Sequence, residues 1–161
     1  MCINIIIDGG FHVFDNPLDD FVSTLLYIDY RGIFFPDNQW VDFTNPVLDM
    51  WQHNLIAARY SENVKFALYF MDGPFRLDVF KDDKMQLTID AIKFGGKNEL
   101  MEFTVQCSYC DLLKALYEAI KYFNYMLYSK GIYKGKFESV YQHNINSLDE
   151  IRKILNQEIN N

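Results

Sequence analysis

No lysine occurs before Lys65, and Arg31 is the only lysine or arginine among the first 58 residues. The same stretch holds eight aspartates: Asp8, Asp15, Asp19, Asp20, Asp29, Asp37, Asp42 and Asp49. The remaining 14 acids are matched by 14 bases, so the formal charge of −7 belongs to the N-terminal third. A local field of one sign bears on partners rather than on fold. It disfavours nucleic acid, whose phosphates need a basic patch. Lys121, Lys130, Lys134 and Lys136 meet no acid between Ala119 and Phe137, and read as a solvated helix face and loop.

Other absences narrow the field further. No apolar run approaches the roughly 20 residues that cross a bilayer. The N-terminus has neither the basic n-region nor the small-residue cleavage site of a signal peptide, so a cytoplasmic location is expected. Cysteine is scarce: Cys2, Cys107 and Cys110 make an odd count, which argues against a disulfide framework. Cys107-Ser108-Tyr109-Cys110 has CxxC spacing but no second pair, and His12, His53 and His143 lack metal-ligand spacing. No G-x-S-x-G elbow or phosphate-cradling glycine loop occurs. The adjacent carboxylates Asp19-Asp20 and Asp82-Asp83 read as a helix start and a solvated turn. No catalytic residue, metal or cofactor is expected.

Core material, by contrast, is plentiful. Half of the 161 residues are apolar and 17% are aromatic. One domain spanning 1–161 is expected, burying roughly 70% of its unfolded surface. Residues 2–7 and 11–15 flank Asp8-Gly9-Gly10, the signature of a hairpin turn. Asn16-Pro17 predicts a helix start. Leu18, Phe21, Val22, Leu25 and Ile28 follow at helical spacing, with Asp19 and Asp20 favouring the dipole. Arg31 to Phe43 reads as an aromatic loop. Asn45-Pro46 opens a second helix, with Val47, Leu48, Trp51 and Leu55 on one face.

From Val64 the period becomes two. Val64, Phe66, Leu68 and Phe70, then Phe75, Leu77 and Val79, then Met85, Leu87, Ile89 and Ala91, then Met101, Phe103 and Val105 mark four strands of a meander. Ser108 with Asp111 resembles a capping box for a helix ending near Gly131, and Ser147 with Glu150 opens a last one. The expected fold is α+β: an antiparallel meander with an N-terminal hairpin, packed against about four helices.

Two stretches stand out. Phe35 to Phe43 sets Asp37 and Asp42 beside Trp40, either as a core plug or as a binding loop with an interface tryptophan. Tyr69 to Phe75 is a tight hairpin around Asp72-Gly73. Together with the amphipathic helix bearing Trp51 and the L-L-x-x-L helix, the pattern F-P-x-x-x-W-x-D-F and F-M-D-G-P-F-R-L-D-V resembles small bacterial α+β proteins of the immunity type. The resemblance runs from about Ile33 to Glu158 and implies a protein that binds and neutralises a toxin.

Such toxins are commonly basic, so an acidic partner gains association rate by steering. The expectation is therefore a non-enzymatic protein that engages a protein partner, a basic toxin domain, with no nucleic acid and no membrane. Candidate partner-binding residues are Asp19, Asp20, Asp37, Trp40, Asp42 and Asp72. The alternative is a small-molecule-binding or enzymatic domain with a pocket between sheet and helices.

Overall fold

The computed structural model describes residues 3–13, 21–95 and 98–159. Among them lie two four-stranded antiparallel sheets and three α-helices, in an α+β arrangement. The first sheet contains β1 (Asn4–Val13), β2 (Val22–Tyr30), β3 (Ile33–Phe35) and β4 (Val41–Phe43). β2 is central: it pairs β1 on one side and both β3 and β4 on the other. The second sheet is the meander β5 (Val64–Tyr69), β6 (Phe75–Lys81), β7 (Gln86–Lys93) and β8 (Leu100–Ser108), in chain order. The helices are α1 (Thr44–Arg59), α2 (Tyr109–Ser129) and α3 (Glu138–Ile159).

The meander follows the period-two pattern. Leu68, Leu77, Val79, Leu87, Ile89, Ala91 and Val105 are buried, while Lys65, Tyr69, Gln86 and Gln106 face water. One bulge, between Ala91 and Ile92, breaks the expected face at Met101, which is 57% exposed. The bulge pairs Phe103 with inward Ala91 but Met101 with Ile92, which inverts the alternation. α2 also matches its sequence. Ser108 caps it by accepting from the Asp111 N–H at 3.1 Å, and Gly131 at φ +72° ends it with the Ile132 N–H bonded to Leu127 O.

The N-terminal part departs from expectation. Val22 to Tyr30 is a strand, not a helix, and Val22, Thr24, Leu26 and Ile28 are all 0% exposed at period two. Val22, Leu25 and Ile28 fit a helical spacing too, but β-branched Val22, Thr24 and Ile28 favour the strand once neighbours pair on both sides. The predicted start at Asn16-Pro17 lies outside the described residues, as do Asp19 and Asp20. Asp8-Gly9-Gly10 is not a turn either. β1 runs through it to Val13, and the register shift between Asp8 and His12 makes it a bulge. Arg31 to Phe43 holds two short strands rather than a loop alone.

At the C-terminal end, α3 begins at Glu138 and passes through Ser147, which is 3% exposed and caps nothing. Among the described residues three α-helices stand where about four were expected. α1 and α3 run parallel, joined by Asp49–His143, Gln52–Glu150 and Arg59–Glu158 contacts. α2 runs antiparallel to α3, with Asn124 and Asn144 hydrogen-bonded at 3.2 Å between them. Both sheets and all three helices contribute to one apolar core around Trp51, Phe35, Phe70, Tyr109 and Phe123.

Candidate functional site

The two stretches singled out from the sequence fold against each other. Asp42 is 1% exposed. Its carboxylate accepts from Trp40 Nε1 at 3.2 Å, the Phe43 N–H at 2.7 Å, the Met71 N–H at 3.1 Å and the Asp72 N–H at 3.2 Å. One side chain thus ties the β4 edge of the first sheet to the β5–β6 turn of the second. Burial pushes its carboxyl above the usual range, although the four donors pull the other way.

The rings beside it close the joint. Trp40 meets Phe75 edge-on at 4.8 Å, and Phe35 meets Phe70 and Phe75 in the same manner. Gly73 sits at φ +112° beneath the indole, where a Cβ would lie 2.7 Å from Trp40 Cη2. Trp51 Nε1 donates to Tyr69 O at 2.8 Å and holds the same hairpin from the helix side. Trp40 and Asp42 therefore act as an internal joint, and the Asp42 carboxylate is not presented at the surface. Asp37 is exposed and accepts from the Gln39 N–H at 2.8 Å. Asp72 is also exposed and shares this corner only through its backbone.

An exposed apolar surface lies on the outer face of the first sheet. Its register aligns Ile6 with Tyr27, Leu25 with Val41, and Asp29 with Phe34. Phe34 and Val41 are 41% and 37% exposed, and Tyr27 packs edge-on against Phe34 at 5.7 Å. Two carboxylates share this apolar band: Asp8, opposite Leu25, and Asp29, opposite Asn4 and Phe34. Asp37 lies exposed in the segment 36–40 between β3 and β4. Among the described residues of this face there is no lysine or arginine. Sequence reasoning missed Tyr27, Phe34 and Val41 because it read β2 as helix and its partners as loop. The alternation of Leu25, Tyr27 and Asp29 was the available signal.

Elsewhere, a depression of about 770 Å³ lies on the outer face of the second sheet, lined by Lys65, Ala67, Asp78, Phe80, Thr88 and Asp90. Asp78 and Asp90 stand directly opposite each other there. Each is occupied: Asp78 by Arg76, which donates to both its oxygens at 2.7 and 3.0 Å, and Asp90 by the Thr104 hydroxyl at 2.6 Å. Among the described residues no three His, Cys, Asp or Glu side chains gather as metal ligands, and no helix is long and apolar enough to cross a membrane.

Cys107 is disulfide-bonded, against expectation, while Cys110 is a free thiol, so the CxxC pair is not closed on itself. An odd count excludes complete pairing but not a single bridge. Burial raises the Cys110 thiol above its usual pKa, which favours its protonated form. Comparison of the chain with protein-family models, curated proteins and solved structures finds no match.

Proposed function

We propose that this chain is a non-enzymatic binding protein of the immunity type, which engages a basic toxin domain through the outer face of its first sheet. The observation that carries the reading is the aromatic and aliphatic band Tyr27, Phe34 and Val41, flanked by Asp8, Asp29 and Asp37 with no lysine or arginine among the described residues of the face. Interfaces of this kind combine an apolar centre with a polar rim, and aromatic anchors supply most of the binding energy. The acids steer a basic partner into place, and the rings then slow its release. Asp42 contributes by holding the β4 edge in place rather than by contact.

The test is co-expression with the product of the reading frame immediately upstream, followed by affinity capture at low and high salt. A basic toxin-like product retained at low salt, lost with Phe34→Lys and weakened by salt supports the reading. A captured partner that tolerates Phe34→Lys and is indifferent to salt rules this surface out. The pocket alternative finds its nearest support in the depression beside Asp78 and Asp90. That depression lies on the outer face of its sheet, away from the helices.

A further inference from the structure

We propose that the free edge of β1 accepts an extended strand from a protein partner, with α2 as the second wall of the groove. This inference rests on the reading of the chain as a binding protein but uses a different surface. β1 is terminal in its sheet, and among the described residues no strand pairs its other edge. A groove of about 420 Å³ runs there, lined by residues 3–6 on one side and by Asp111, Lys114, Ala115 and Glu118 on the other. Four consecutive strand residues line it, yet successive side chains alternate between faces. The groove therefore follows the backbone edge, where alternate residues direct N–H and C=O groups outward. A peptide inserted between a sheet edge and a helix draws affinity from main-chain hydrogen bonds and specificity from the helix wall.

The wall fixes the chemistry of the occupant. Asp111, Lys114 and Glu118 line it as acid, base and acid over about 10 Å of helix, the length of three to four strand residues. Asp111 also accepts from the Ser108 hydroxyl at 2.8 Å, and Glu118 from Lys121 Nζ at 3.2 Å, an exposed pair that a bound segment can exchange. An extended segment with the order base, acid, base complements it. A second copy fits less well. Antiparallel pairing of two β1 edges about a two-fold axis sets Asp111 of one copy against Glu118 of the other. The bulge at Asp8–His12 confines regular pairing to the first half of the strand. Ala115 leaves room at the floor of the groove.

The probe is the peptide Ac-Lys-Val-Glu-Val-Lys-Val-NH2, titrated into the isotope-labelled full chain to about 5 mM while backbone amides are followed by NMR. Saturable shifts confined to residues 3–7 and 111–118, with Kd near or below about 1 mM, are expected. Ala115→Arg should weaken the peptide at least tenfold. Should that variant fold poorly, exposed Lys114→Glu should reject the same peptide and prefer Ac-Lys-Val-Lys-Val-Lys-Val-NH2. Phe34→Lys should leave the titration unchanged, so loss of the outer-face partner and loss of peptide binding are read separately. Absence of shifts, shifts elsewhere, or equal binding of the charge-reversed peptide Ac-Glu-Val-Lys-Val-Glu-Val-NH2 overturns the proposal. So does a wild-type dimer by light scattering whose β1 amides are protected in the dimer alone.

Discussion

Removing the Asp42 carboxylate should loosen the joint between the two sheets without unfolding either sheet's own ladder. Asp42→Ala strips the acceptor from four N–H groups: Trp40 Nε1, Phe43 N, Met71 N and Asp72 N. Met71 and Asp72 are exposed, so their amides regain water when the hairpin shifts. Trp40 and Phe43 are half-buried, and each lost acceptor there costs about 1–3 kcal/mol. The sum is about 4 kcal/mol, a large part of the roughly 5–15 kcal/mol that holds a domain together. At about 2–4 °C per kcal/mol for a chain of this size, Tm should fall by about 8–16 °C in a calorimetric scan.

Asp42→Asn tests the sign of the electrostatic part. The amide keeps one acceptor oxygen but turns a donor toward other donors, so a smaller loss is expected. Burial raises the native carboxyl above its ordinary 3.8. Between that value and the raised one, the native state holds the extra proton, and stability from this residue falls as pH rises through the window. The lead of wild type over Asp42→Asn should thus be greatest below pH 3.8 and narrow on titration upward. An alanine variant within about 0.5 kcal/mol of wild type, or a gap that widens with rising pH, refutes the reasoning.

Further outcomes follow from single contacts. Gly73→Ala meets both a positive φ and the Trp40 ring at 2.7 Å, so its midpoint in urea should drop by an amount equivalent to about 2 kcal/mol or more. Lys81 is 2% exposed, and among the described residues its ammonium reaches Asp82 O at 3.5 Å and Met85 Sδ at 3.6 Å. Lys81→Met should therefore raise stability by about 1–2 kcal/mol in the same assay, and a fall would show that the buried charge is better satisfied than its contacts imply. Tyr109 is 0% exposed, and its hydroxyl donates to Leu55 O at 2.9 Å. Tyr109→Phe should cost about 1 kcal/mol by denaturant titration, with no change in the m-value.

How far the sequence could be read depended on whether local and tertiary signals agreed. Apart from the bulge at Ala91–Ile92, they agreed in β5 to β8, where one wet face leaves an alternating pattern, and in α2, whose Ser108 cap and Gly131 stop are local chemistry. They disagreed in β2, where Val22, Leu25 and Ile28 satisfy a helical spacing that pairing with β1, β3 and β4 overrides. Asp8-Gly9-Gly10 supplied turn residues that the fold uses as a bulge, since glycine serves either purpose. Asp42 was the hardest to read, because a buried carboxylate and a surface one look alike in sequence. Its four donors come from residues 40, 43, 71 and 72, and only the fold unites them.

The central claim concerns the acid-bordered aromatic face of the first sheet. Its most direct test is the association rate constant between this protein and the toxin-like product of the upstream reading frame, measured against ionic strength for wild type and the triple variant Asp8→Asn, Asp29→Asn, Asp37→Asn. The account predicts a rate that falls steeply with salt in wild type, and a variant about tenfold slower at low salt with a flatter slope. Identical rates and slopes for the two proteins would contradict it.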